Sequence, residues 1–140
     1  PGHRKTYQAK HELALVCEDL GDLKEAEELY KEILPFYNNY YGEEHERTLT
    51  ILGNMANFYR TKGNSINDRA AYQKAEELFL KIIDIEFRNV DPSNPSIYLT
   101  HHNIGVLYNT VRKLESAKHH LGIALNFYKT CRSTLGTWSS

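Results

Sequence analysis

Seven histidines, two cysteines and eighteen carboxylates are the residues of this chain that could do chemistry. Metal ligation, proton transfer and thiol chemistry are the reactions open to them. The spacing argues against each. His101-His102 and His119-His120 are adjacent pairs, and neighbours on a helix point about 100° apart, so neither pair can chelate from one face. The chain has no HExxH and no close Cys/His ligand set, so no metal site is expected. His101 falls on an apolar stripe and reads as a packed core histidine. Cys17 and Cys131 are isolated. Cys17 also falls on a packing column, which favours a buried, reduced thiol over a disulfide and fits an intracellular, cytoplasmic setting. The carboxylates sit at positions that read as exposed helical faces, and Gly63 and Gly105 belong to a repeat rather than to a phosphate loop. No catalytic residue and no cofactor are expected.

The elements that carry these residues repeat three times. Leu13-Ala14, Met55-Ala56 and Ile104-Gly105 are separated by 42 and 49 residues, and Ala26, Ala75 and Ala117 by 49 and 42. One period of 42 with seven extra residues between Gly63 and Ala75 explains both columns, and a period of this size implies a solenoid. Each unit has two helical stripes at spacings of three and four. The first run is Leu13, Ala14, Cys17, then Leu52, Met55, Ala56, Tyr59, then His101, Ile104, Gly105, Tyr108. The second run is Ala26, Leu29, Tyr30, Ile33, then Ala75, Leu78, Phe79, Ile82, then Ala117, Leu121, Ala124, Leu125. A small residue in each first stripe lets two helix backbones approach closely.

Turn chemistry sets the boundaries. Gly21-Asp22, with Glu25 three residues on, reads as a stop followed by a capping box. Gly63-Asn64 is expected to be the matching stop, and Arg112-Lys113 replaces the glycine in the third unit, so that turn needs another backbone solution. Thr6, Thr48 and Ser96 are expected at or near helix starts, after breaks at Gly42 and Asp91-Pro92. Pro35 lies inside the apolar stretch from Ile33 to Tyr41. Proline costs about 3 kcal/mol in a helix interior, but Phe36, Tyr37, Tyr40 and Tyr41 keep helical spacing, so a kinked helix that continues to Tyr41 is expected. The extra residues within 64–74 read as a longer loop and an early helix start at Asn67-Asp68. They serve either as a tolerated surface insertion or as a dedicated partner contact.

Taken together, Ala56, Tyr59, Gly63, Ala75 and Phe79 resemble the tetratricopeptide repeat. The 42-residue period with a Gly-x-x-His linker, Gly42-Glu43-Glu44-His45, is similar to the long repeats of kinesin light chains, nephrocystin-type scaffolds and some sensor proteins. The resemblance covers about residues 7–130 and departs at Cys17, Arg112 and the insertion. It implies an all-α, right-handed solenoid of three helix-turn-helix repeats, with six to seven helices in a single domain over 1–140. The repeats would run about 7–41, 49–90 and 98–130, with 131–140 as an extension. The resemblance also implies a scaffold that holds a partner protein's peptide or helix in a concave groove lined by the first helices. The groove positions would be His11, Leu15 and Glu18, then Gly53, Asn54, Asn57 and Arg60, then Leu99, His102, Asn103, Val106 and Asn109. Asn54, Asn57 and Asn103 can pair with an extended peptide backbone, since an amide both donates and accepts. Alternatively they bond to neighbouring helices. Relatives that grip the acidic tails of chaperones use a Lys, Asn, Asn, Lys, Arg clamp. Here the matching positions are His11, Leu15, Asn54, Leu99 and Asn103, and only Asn54 agrees, so no chaperone-tail binding is expected. The other reading of the repeat is a structural spacer, its groove filled by its own flanking segments.

Charge is uneven along the array. Residues 10–47 hold 11 acidic and 4 basic side chains, and residues 98–140 hold 1 acidic and 5 basic, within a formal net charge of −1. The imbalance reads either as solvated faces or as acidic and basic ends that pair between copies. No nucleic-acid partner is expected, because only the basic, aromatic end from Phe127 to Trp138 would support one. No apolar run reaches the ~18 residues of a membrane span, so no membrane partner is expected either. The chain does not begin with Met, and its first repeat boundary falls near Pro1, which reads as a piece taken in register from a longer array. Phe127, Tyr128 and Trp138 would then cover the next unit or an open end, and such ends can associate.

Overall fold

The computed structural model describes residues 2–89, 91 and 93–135. Six α-helices and no strand lie within them: α1 Gly2–Leu20, α2 Leu23–Tyr41, α3 Glu46–Ile66, α4 Arg69–Asn89, α5 Pro95–Thr110 and α6 Leu114–Leu135. Each helix packs on the next in the chain, and α3 also touches α5. The core is the set of small and apolar residues the repeat columns select. Ala14, Ala26, Ala56 and Ala75 are fully buried, with Tyr30, Ile33, Phe58, Phe79 and Ile104 filling the space between helix pairs. Expectations that rest on Trp138, on Pro92 or on the Cys131 side chain fall outside the described residues.

The three turns within the helix pairs share one geometry. Gly21, Asn67 and Arg112 have φ of 81°, 52° and 65°. In each case the following amide donates to the carbonyl five residues back: Asp22 to Cys17 at 2.8 Å, Asp68 to Gly63 at 3.2 Å, and Lys113 to Tyr108 at 2.8 Å. This is the glycine-type helix stop. Arg112 therefore adopts the same backbone solution as Gly21 rather than a different one, despite its Cβ.

The stop of the second unit is at Asn67, not at Gly63-Asn64. Gly63 lies inside α3, where a Cβ would come within 2.7 Å of the Tyr72 ring. The insertion is accordingly not a longer loop. Gly21 to Asn67 is 46 residues, four beyond the period, and Asp68 to Ala75 is three longer than Asp22 to Ala26. Four inserted residues thus extend α3 and three extend α4. Each is close to one turn of 3.6 residues, so both apolar stripes keep facing the core. The early start of α4 stands, with Asp68 Oδ1 accepting from the Ala70 and Ala71 amides at 3.0 and 3.3 Å.

Thr48 and Ser96 lie in the first turn of α3 and α5, near the helix starts as expected, and other residues supply the caps. His45 caps α3, its Nδ1 accepting from the Arg47 amide at 3.0 Å, and Asn94 caps α5 through the Ser96 amide at 2.9 Å. Thr48 is instead buried within α3 and donates to the Tyr37 carbonyl at 3.2 Å. It ties α3 to α2, a task a capping position one turn earlier could not perform. Helix α2 runs through Pro35 to Tyr41. Behind the proline, Tyr7 stacks on Phe36 at 4.1 Å and Phe36 on Tyr40 at 5.4 Å, which holds the segment in place.

Both outer faces are apolar. Leu13 and Val16 are 45% and 51% exposed on α1, whereas Met55 and Phe58, 42 residues on, are 4% and 0% exposed on α3. On α6, Tyr128 is 47% exposed where Tyr37 of α2 is 5% exposed. Leu13 and Leu125, expected in packing stripes, are exposed because among the described residues no helix covers α1 or α6 from outside.

Candidate peptide-binding face

Helices α1, α3 and α5 carry the residues expected in the groove. The α1 and α3 rows meet directly, with His11 Nε2 and Asn54 Nδ2 2.8 Å apart. The Asn54 amide donates to an unprotonated Nε2. Burial pushes the His11 pKa down, which keeps the ring neutral and the bond intact. Asn54 is thus committed to a neighbouring helix. Glu18 is likewise engaged, since the Tyr30 hydroxyl donates to its Oε2 at 2.6 Å. Burial raises the Glu18 pKa, while that hydrogen bond opposes the shift. Leu15 and Leu99 present apolar surface, Val106 is half-buried, and Gly53 has no atom within 4 Å of where a Cβ would stand. His102 stacks loosely with Tyr98, at 5.9 Å between ring centres, and Asn109 is exposed. Asn103 is half-buried.

Arg60 stands apart from these. It is half-buried on α3, one turn beyond Asn57, whose Oδ1 accepts from Nη2 at 3.2 Å. Its Nε is buried and has no acceptor. Desolvation lowers its pKa, and among the described residues no carboxylate lies within ion-pair distance. A half-buried guanidinium bonded only to a neutral amide has spare capacity for an anion.

Two contacts between units escaped the sequence reading. Glu27 of α2 accepts from the Tyr59 hydroxyl at 3.0 Å and pairs with Lys62 at 2.9 Å on α3. Burial pushes Glu27 up, but those two partners outweigh it and hold the carboxyl below its usual range. One unit later, Tyr108 faces Glu76 and its pKa is raised by burial and by that carboxylate, while Lys113 sits 3.7 Å from Glu76. The signal was present, because Glu27 and Glu76, and Tyr59 and Tyr108, each recur at 49 residues. Lys118 breaks the acidic column in the third unit.

Histidines of α5 and α6 meet across the two helices. His101 Nδ1 and His120 Nδ1 are 2.9 Å apart with stacked rings, and His119 meets His120 edge-on. Burial first, then the neighbouring histidines, lowers the pKa of both His101 and His120. One neutral ring donates to the other. Among the described residues no group of three His, Cys, Asp or Glu side chains is placed to hold a metal ion, and no described helix is long and apolar enough to cross a membrane.

Residues 5–66 match the family model of the tetratricopeptide repeat. No curated protein matches the chain in sequence. Solved structures do resemble it. One, from Podosopora anserina, contains nearly identical TPR-like repeats of a protein described as a kinesin light chain. It is 24% identical with a TM-score of 0.76, over 90% of this chain and 57% of that one. A variant of the same protein is 23% identical with a TM-score of 0.78, over 94% and 59%. BtubC (BKLC) from P. vanneervenii is 18% identical with a TM-score of 0.77, over 97% and 50%. The chain thus spans between 50% and 59% of the length of these structures. At this identity the likeness is one of fold. Residues 5–66 match the tetratricopeptide-repeat model, and the three helix pairs together have the fold of a tetratricopeptide-repeat solenoid.

Proposed function

We propose that this chain is a protein-interaction scaffold that holds an extended peptide along α1, α3 and α5 and anchors an acidic side chain of that peptide at Arg60. The observation that carries this reading is the half-buried Arg60 guanidinium, bonded to the neutral Asn57 amide and, among the described residues, without a carboxylate in ion-pair distance. A carboxylate meeting the solvent-facing part of that guanidinium would pair with its charge in a partly desolvated setting, where charge-assisted bonds are strong. Leu15 and Leu99 supply apolar contact on either side, and Asn103 supplies an amide for the peptide backbone. His11, Asn54 and Glu18 shape the face without being available to the ligand. Phage-displayed random peptides selected on the chain are the test. Enriched sequences are expected to carry Asp or Glu at one fixed position, and Arg60→Gln is expected to weaken the selected peptides by about 10–100-fold, the worth of one hydrogen-bonded charge. Selected peptides without an acidic residue, or binding indifferent to Arg60→Gln, would overturn the reading.

A second reading, self-association, is favoured by the two outer faces. Leu13 and Val16 of α1 and Leu125 and Tyr128 of α6 occupy the positions at which the array stacks its own units. A head-to-tail contact of one copy's α6 with another's α1 would reuse that packing. Sedimentation of Leu13→Glu and Leu125→Glu separately should give monomers, whereas their mixture retains one intact face on each copy and should form a dimer. A mixture that stays monomeric sinks this reading.

A further inference from the structure

The insertion lengthens α3 and α4 by a turn each, and a cleft of about 500 Å³ opens between the start of α4 and the α5–α6 turn. Arg69, Tyr72 and Glu76 line one side, and Leu107, Arg112 and Lys113 the other. The corresponding hollow one unit earlier, beside Glu27 and Lys62, measures only about 170 Å³. Charge in the larger cleft is unbalanced. Glu76 is its one carboxylate, and it is already engaged by Tyr108 and Lys113. Arg69 and Arg112 have no carboxylate within ion-pair distance among the described residues. Arg112 also occupies a backbone with φ of 65°, at the turn position where the first unit has Gly21. A residue with a Cβ is disfavoured there, so the side chain is kept at a cost to the fold. Strain of this kind collects where a side chain has work to do.

We propose that this cleft binds a phosphate monoester, with Arg69 and Arg112 sharing its dianionic charge and the Tyr72 and Leu107 surfaces meeting the group that bears it. Paired guanidinium forks match phosphate oxygens in geometry and charge. The site shares no residue with the α1, α3 and α5 face, so it stands or falls independently of peptide binding there.

The test is calorimetric titration at physiological salt with a phosphoserine peptide, the same peptide unphosphorylated, and inorganic phosphate. The phosphorylated peptide is expected to bind and the unphosphorylated one not. Binding of inorganic phosphate as tightly as of the phosphopeptide would support the phosphate site and identify the free anion as its source. Arg69→Gln and Arg112→Gly should each weaken binding by at least about tenfold. Arg112→Gly carries a second readout of opposite sign. It relieves the left-handed backbone, so the unliganded variant should melt about 2–4 °C higher than the parent chain. A more stable Arg112→Gly protein that has lost phosphate binding separates a ligand role from damage to the fold. Unchanged binding in Arg112→Gly, equal binding of the unphosphorylated peptide, or no binding of either phosphate probe at millimolar concentration would overturn the proposal.

Discussion

Replacing Gly53 and Gly105 by alanine should move stability in opposite directions. Both glycines lie inside helices, and in each case alanine gains about 0.5–1 kcal/mol by removing the backbone freedom glycine brings to the unfolded chain. At Gly53 nothing lies within 4 Å of the new methyl, so that gain should appear in full. At Gly105 the methyl would stand 2.6 Å from Leu121 Cγ, 2.7 Å from Cδ2 and 3.3 Å from the Leu121 backbone nitrogen. Carbon atoms pack at about 3.5–4.0 Å, so the overlap is near 1 Å on the Leu121 branch carbon and one of its methyls, and the tight approach to the main-chain nitrogen limits how far that side chain can yield. Overpacking of this kind costs about 1–3 kcal/mol, which leaves Gly105→Ala neutral to about 2 kcal/mol destabilised. The two variants should therefore differ by about 2 kcal/mol, or roughly 6 °C in melting temperature for a chain of this size. Urea unfolding followed by helical circular dichroism measures the difference, with an unchanged slope confirming that the transition stays comparable. If Gly105→Ala proves as stable as Gly53→Ala, the close approach of α5 to α6 is not set by the missing side chain, and the small-residue column Ala14, Ala56, Gly105 loses its physical reason.

Tyr59→Phe removes the hydroxyl that bonds Glu27 and should cost about 1 kcal/mol, because Glu27 keeps Lys62 and is not stranded; a loss above about 3 kcal/mol in urea unfolding would show that the contact between units depends on more than that bond. Acidification should weaken the fold through His11, His101 and His120, whose pKa values are all lowered. The unfolded chain takes up these protons first, so the stability is fully present above the unfolded value near 6.5 and is lost as pH falls towards the depressed folded values. Unfolding midpoints between pH 7.5 and 5.5 should decline, and His120→Gln should flatten the decline. An identical slope in the variant would rule out the half-buried histidine pair as a source. Half-buried Glu18 and buried Glu86, whose pKa values are raised, act in the opposite sense at lower pH, so the comparison with the variant carries the test.

Periodicity made the helices legible. The columns at 42 and 49 residues found three pairs of amphipathic helices, the small residues at their crossings and the continuation of α2 past Pro35, because each is a local pattern written along one stripe. The same columns placed the seven extra residues between Gly63 and Ala75 but not how they divide. That depends on where the turn closes, and Asn67 closes it rather than Gly63, because Tyr72 of the following helix packs over Gly63. Arg112 departs from the turn pattern in sequence, yet with the amide of Lys113 bonded to the Tyr108 carbonyl an arginine takes a glycine conformation there.

The candidate site divides along the same line. The family resemblance, carried along the repeat, named His11, Asn54, Asn57 and Arg60 as groove positions on the first helices. It could not say that Asn54 is taken by His11 or that Glu18 is taken by Tyr30, since those bonds join residues 43 and 12 apart along the chain. Nor could it find Arg60 without a carboxylate, because an unmet charge is a property of everything packed around it. The sequence by itself determined the helices, their repeat and the face each one buries, because a helix stripe is fixed by spacing within a few turns. Only the tertiary structure decided which polar groups are already satisfied and which remain open to a partner, because that depends on which distant residues the stacking brings within hydrogen-bond reach.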